Sequence, residues 1–248
     1  MSTVLHFTES KGKGEPPLIL IHGAGGTHLH WPPELRRLPD GRVLAVDLPG
    51  HGQSEGTSCA TVVEFAAAIV SLLDSLNIQR AIVAGHSMGG AIAQTLALDY
   101  AERVAGLILV GTGARLRVAP QILDGVKADF AGAVDTIIQW SFSPTASEML
   151  TRLAHQRLLE VKPAVLLSDY AACNAFDAMT RVSQIKSPTL VLVGSADKMT
   201  PEKYSRYFVE QIAGAQLKVF PGAGHMLPLE RGAEMTQAVQ AFANSVNG

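Results

Sequence analysis

The sequence predicts an α/β protein built on a mostly parallel, doubly wound sheet with an inserted helical cap. Three observations carry this expectation. Short apolar, β-branched runs alternate with longer helical patterns. The runs lack polar alternation and are bounded by Gly, Pro or Asp, as in strands buried on both faces. One stretch, residues 114–181, breaks the rhythm with helices alone.

In chain order, Leu18–Ile21, Val43–Val46, Ala81–Ala84, Leu107–Val110, Leu190–Val193 and Leu217–Phe220 read as strands. Between them, Val62–Leu76 places Phe65, Ile69, Leu72, Leu73 and Leu76 on one helical face. Ala91–Leu98 is helical and nearly all apolar, hence central. Pro201 opens another helix at a first-turn position, where its missing N–H costs nothing. Ala233–Val246 closes the chain as a helix. Within 114–181 the segments Val118–Asp129, Ala133–Trp140, Ser147–Glu160 and Pro163–Asp177 are helix-like, punctuated by Pro120, Pro144 and Pro163. Residues 1–113 and 182–248 then form one sheet-based core, and 114–181 a cap over the C-terminal edge of the sheet. The plainer alternative makes these helices part of one larger core.

Composition agrees with a packed enzyme-sized body and excludes other classes. Of 248 residues, 47 % are hydrophobic and 17 % charged, which rules out a disordered or solvating chain. The net charge of −2 and the lack of a basic stripe argue against nucleic acid or an anionic membrane as partner. Cys59 and Cys173 are too few for a disulfide framework and read as two ordinary buried thiols, the alternative being a single bridge. No apolar run approaches the ~18 residues of a membrane span, and Met1–Pro17 has no signal-peptide pattern. The expectation is a soluble, cytoplasmic protein acting on a small molecule.

The strongest chemical signal is Gly85-His86-Ser87-Met88-Gly89-Gly90, directly after a predicted strand and before a predicted helix. A Gly-x-Ser-x-Gly in that context reads as a nucleophile elbow, a turn too tight for side chains two residues either side of the serine. The alternative is a glycine-rich turn with an incidental serine. A serine hydroxyl needs a base. His225 lies past the last strand, at the sheet edge toward which Ser87 points; the other seven histidines have poorer positions. His86 is expected to face away from the turn, and His6, in an N-terminal strand, and His155, in a polar helix, to lie at the surface. The base in turn needs an acid. Asp197 follows the strand Leu190–Val193, whereas the rival loop Gly111–Arg115 holds no carboxylate; Asp197 also suits an N-cap. Two oxyanion donors are expected from the N–H groups of Met88 and Ala24, the latter in the small-residue loop His22–Gly26. That loop fits neither G-x-G-x-x-G nor a P-loop. His22, His28 and His30 lack the carboxylate of a metal site, so no metal and no cofactor is expected.

The order Ser87…Asp197…His225 resembles that of the α/β-hydrolase superfamily. Asp47-Leu-Pro-Gly-His51-Gly52-Gln-Ser54 is similar to a structural loop of that superfamily, and Trp31-Pro32 to the segment after its oxyanion loop. The resemblance covers essentially the whole chain, the cap least specifically. It implies an α/β-hydrolase fold and a carboxylesterase-type serine hydrolase using no cofactor. Relatives with an aspartate at the elbow, the haloalkane dehalogenases and epoxide hydrolases, are set aside by Ser87. C–C bond hydrolases commonly carry Trp after the histidine, where this chain has Met226. Lactonase, thioesterase and C–C hydrolase activities stay open, as do perhydrolase activity and a non-catalytic receptor. A substrate pocket is expected from Gly23, Gly25, Trp31, Trp140, Phe142, Phe176 and Met226.

Overall fold

The computed structural model describes residues 4–247. Seven strands, β1 (Phe7–Glu9), β2 (Gly14–Ile21), β3 (Gly41–Val46), β4 (Ala81–His86), β5 (Val104–Val110), β6 (Thr189–Gly194) and β7 (Gln216–Phe220), form one sheet. Their order is β1-β3-β2-β4-β5-β6-β7; β1 runs antiparallel to β3 and the other neighbours are parallel. Among the described residues ten α-helices accompany them: α1 (Pro33–Arg36), α2 (Val62–Ser75), α3 (Met88–Asp99), α4 (Pro120–Ala128), α5 (Phe130–Ser141), α6 (Glu148–Leu159), α7 (Pro163–Ala175), α8 (Glu202–Gln211), α9 (Leu227–Glu230) and α10 (Gly232–Asn247). The expected α/β class and doubly wound sheet are what the chain adopts.

Apart from a bulge at Ala105–Gly106 of β5, the strands alternate between two cores, because successive side chains leave opposite faces of a pleat. Ile19, Ile21, Leu44, Val46, Val83, Leu107 and Leu109 face one layer with α2, α3 and α8. Leu18, Leu20, Val43, Ala45, Ile82, Ile108 and Val110 face the other with α1 and α10. The strand expected at His6 begins one residue later as β1, and the start of β2 escaped the sequence reading. β1 is a three-residue Phe-Thr-Glu strand with no apolar run, and the first half of β2 is Gly-Glu-Pro-Pro. Besides backbone pairing, Phe7 packs on the core, and Arg42 of β3 donates to Glu9 (2.7 Å) and Glu15 (3.1 Å).

The segment between β5 and β6 holds α4–α7. It has its own core of Ile122, Val126, Val134, Ile137, Leu158 and Leu166. Its two ends meet: Ala178 N–H donates to Ala114 O (2.7 Å), and Arg115 bridges Asp177 antiparallel. Cys59 is half-buried and Cys173 buried, both as free thiols. Among the described residues no helix is long and apolar enough to cross a membrane.

Helix α2 shows how local and tertiary signals combine. Thr61 and Glu64 form a capping box at its start, and Phe65, fully buried, anchors it to the sheet. Phe65→Ala is expected to cost about 3–5 kcal/mol, and Thr61→Ala about 1 kcal/mol. Denaturant-unfolding midpoints of the two variants check the ratio.

Candidate active site

Strand order reverses at β2 and β4. β3 lies to one side of this pair and β5 to the other, so the loops leaving β2 and β4 flank a topological switch point. His22–Gly26 leaves β2 there, and Ser87 leaves β4.

Ser87 has φ 54° and ψ −117°, an unfavourable region for a non-glycine residue. Its neighbours explain how the turn closes. A Cβ on Gly85 would strike the Gly89 carbonyl, and one on Gly89 would strike the Ile21 carbonyl. The serine is clamped by its backbone. Its N–H donates to Val110 O (3.0 Å), and its carbonyl accepts from Thr112 Oγ1 (2.8 Å) and Gly90 N–H (2.9 Å). Gln94 of α3, wholly buried, donates to Gly90 O and Gly113 O (3.0 and 3.1 Å). The hydroxyl therefore stands at the N-terminus of α3, where backbone N–H groups and the helix dipole favour negative charge.

His225 comes from the loop between β7 and α9, and Asp197 from the loop after β6. Asp197 Oδ1 accepts backbone N–H groups of Met199 (2.9 Å) and Thr200 (2.8 Å). Its Oδ2 accepts the Thr200 hydroxyl (2.8 Å) and His225 Nδ1–H (2.9 Å). A carboxylate accepts only, so the proton sits on Nδ1 and the lone pair on Nε2. Burial alone would raise the Asp197 pKa, but attraction to His225, its hydrogen bond and the Thr200 donors together hold it below the ordinary 3.8. The His225 loop is itself fastened to α5: Met226 N–H donates to Ser141 O (3.0 Å), and Glu230 accepts from Gly224 N–H (3.1 Å) and Ser143 N–H (3.3 Å).

Ser87 and His225 line one cavity with Gly23, Ala24, Gly25 and Met226. Its opposite wall is Ile137, Ile138, Phe142, Ala154, Leu158 and Tyr170 of the helical segment. A second cavity also reaches Ser87, between Leu116, Val118, Ile122, Trp140 and Met199. Most residues singled out in the sequence thus converge here, with two corrections. Trp31 is 1 % exposed and lies in the core beneath α1 and α10, because the turn after the glycine loop sends it below the sheet rather than into the cleft. Phe176 lines neither cavity; half-buried, it packs on the core under α2 and α3 as the chain leaves α7. The aliphatic wall of α5 and α6 went unnamed in the sequence, although Ile137/Ser141 and Ala154/Leu158 carry i, i+4 spacing. His30 and His86 line the first cavity too.

His86 does not face away from the site. Its ring centroid is 4.9 Å from that of His225, and its Nε2–H donates to His225 O (2.9 Å). Burial, and then the neighbouring His225, lower its pKa to about 3, so it is a neutral prop beneath His225. Burial also lowers His30, to about 4, assisted by His51. His6 precedes β1 and is half-buried, not a surface residue. Its Nδ1–H donates to Asp47 (2.8 Å), as does that of His28 (2.9 Å). These three groups could reach one cation. The carboxylate missing from the sequence neighbourhood of the histidines is thus supplied by the fold. Asp47 already accepts the backbone N–H groups of His28 (2.7 Å) and Gln53 (3.0 Å), which makes it a hydrogen-bond hub.

The depressed Asp197 pKa has a measurable consequence. The stabilisation it gives is present above the ordinary 3.8 and is lost as pH falls through the lower folded value. Asp197→Asn is expected to be less stable than the parent at pH 7, with the gap narrowing below that range. Urea unfolding across the acid limb tests this; a pH-independent gap contradicts it.

Comparison with known proteins fits this geometry. Residues 18–238 match the Alpha/beta hydrolase family. The chain is 35 % identical to a thermophilic esterase of known structure, with a TM-score of 0.87, covering 98 % of this chain and 94 % of that one. It is 31 % identical to a 2-hydroxy-6-oxononadienedioate/2-hydroxy-6-oxononatrienedioate hydrolase of Burkholderia vietnamiensis, over 96 % of this chain and 90 % of the relative. It is 32 % identical to the dihydrolipoyllysine-residue acetyltransferase component of the acetoin cleaving system of Pseudomonas putida. There the match covers 96 % of this chain but spans just 66 % of the relative's length. With its mostly parallel seven-stranded sheet, its strained serine turn and this match, the chain belongs to the alpha/beta hydrolase family.

Proposed function

We propose that this chain is a serine hydrolase that cleaves carboxylic esters of small or medium apolar substrates. One observation carries the reading: the serine on a strained strand-to-helix turn shares a cavity with a buried His225–Asp197 pair. Ser87 Oγ attacks the ester carbonyl while His225 Nε2 takes its proton. Asp197 keeps that proton-accepting tautomer and stabilises the imidazolium. The N–H groups of Met88 and Ala24 hold the developing oxyanion. The tetrahedral intermediate collapses, the alcohol leaves with the proton from His225, and the acyl group stays on Ser87. Water, deprotonated by His225, then releases the acid.

Residues 114–181 act in this reading as the cap. The two cavities meeting at Ser87 would separate the acyl from the alcohol portion, and their aliphatic and aromatic walls favour apolar groups on both sides. A second reading, C–C bond or lactone hydrolysis, draws support from the 31 % identity to the nonadienedioate hydrolase and the 27 % identity to an enol-lactonase of known structure. Met226 in place of the usual tryptophan weighs against the C–C branch.

A fluorophosphonate is expected to label Ser87 stoichiometrically, as read by peptide mass analysis; labelling elsewhere, or none, refutes the acyl-enzyme. Ser87→Ala should lower kcat by on the order of 10⁴-fold or more, and Asp197→Asn by roughly 10⁴-fold. Short p-nitrophenyl esters run beside lactones and vinylogous diketones separate the two readings. Turnover of the diketone well above the esters would favour the second.

A further inference from the structure

Asp169 of α7 is wholly buried, 0 % exposed, yet it is a carboxylate. Its Oδ2 accepts Gly25 N–H (2.8 Å) and His51 Nε2–H (2.7 Å), and its Oδ1 accepts the Ser58 hydroxyl (2.8 Å). All three partners lie in the core, more than a hundred residues earlier in the chain. His51 Nδ1 faces a second acceptor, Pro49 O, at 3.0 Å. With an acceptor at each nitrogen, the imidazole satisfies both as a cation. Burial alone would lower the His51 pKa, but the hydrogen bond and charge of Asp169 raise it. A buried ion pair of this kind is poor value as glue, since an apolar pair of similar size would join cap to core as well. Something other than adhesion is needed to account for it.

The position of Gly25 supplies that reason. The two peptide planes that flank the Ala24 Cα are each pinned. The Gly23 carbonyl accepts from His22 Nδ1–H (2.8 Å) and Gly26 N–H (3.0 Å). In a trans peptide this fixes the opposed direction of the Ala24 N–H. The following peptide is pinned by its Gly25 N–H on Asp169. Gly25 has φ +62°, and a Cβ there would press on Leu158 and Leu166 of the cap at 2.8 Å. Core and cap therefore hold opposite sides of one residue, and Tyr170, next to Asp169, lines both cavities that reach Ser87.

We propose that Asp169 is a positioning residue, a cap-borne carboxylate that holds the Ala24–Gly25 peptide so that the Ala24 N–H faces the oxyanion. The inference rests on the hydrolase reading above and adds to it that the oxyanion site is complete when α7 is seated. Asp169→Asn keeps the shape but cannot accept from Gly25, His51 and Ser58 together. With p-nitrophenyl butyrate, kcat should fall about tenfold or more, with KM within about twofold. Affinity for a trifluoromethyl ketone, whose adduct with Ser87 places an oxyanion in the site, should fall in the same proportion as kcat/KM. A role in stability alone would lower Tm and leave kcat and ketone affinity of the folded enzyme at parental values, which overturns the proposal. If Asp169→Asn does not fold, Ser58→Ala, which frees only Oδ1, should give the same pattern at a few-fold scale; parental kcat and ketone affinity there also overturn it. Fluorophosphonate labelling of the parent separates the two failures. Absence of a Ser87 adduct sinks the hydrolase reading and this role with it; normal labelling with an unaffected variant sinks this role alone.

Discussion

The close approach of two backbones at the switch point is the constraint on which the site depends. The Ile21 carbonyl at the end of β2 lies where a Cβ on Gly89 would be, and Gly89 in turn lies against Gly85. No side chain fits between them. This contact draws the first turn of α3 against β2, forces Ser87 into its left-handed backbone, and sets the glycine loop beside the serine. The strain costs of order 1–3 kcal/mol and is held by the buried clamp of Thr112, Gln94 and Val110.

Charge inside the molecule follows one pattern. Three buried aspartates, Asp47, Asp169 and Asp197, each accept from imidazole and from backbone N–H groups. Saturating the carboxylate with donors offsets the penalty of burying it. The three do different jobs. Asp47 ties the segment before β1 and the turn after the glycine loop to the end of β3. Asp197 orders His225. Asp169 joins the helical segment to the loops of the sheet. In a chain with only 17 % charged residues, these interior charges determine how the loops are oriented.

Much of this was legible in the sequence because the signals were local. The strand runs 18–21, 81–84 and 107–110 needed no knowledge of neighbours, and four helices between 118 and 177 follow proline and apolar spacing to within a few residues. The elbow was readable since its glycines are required by its own turn. Asp197 and His225 were readable because a parallel sheet gathers the residues that follow its strands. What failed was long-range. Trp31 looked like a pocket residue until the turn after the glycine loop carried it under the sheet. His86, beside the nucleophile, sits under His225 because β4 and the β7–α9 loop meet there, 139 residues apart in sequence. Nothing near Asp169 in the chain announces Gly25, His51 or Ser58.

The bridged neck between Ala114 and Ala178 has a consequence for how this architecture changes over time. A segment that departs and returns at one point exerts little leverage on the register of β5 and β6. Its closure entropy varies only slowly with its length, by about 0.6 kcal/mol per doubling. Under the cap reading, residues 114–181 are therefore free to be exchanged, lengthened or recombined with little disturbance to the strained serine turn beneath. The exception is any replacement without a carboxylate at the place of Asp169, which would leave both Gly25 and His51 without their partner. A graft that respects the neck but omits that one group would keep the fold and lose the alignment.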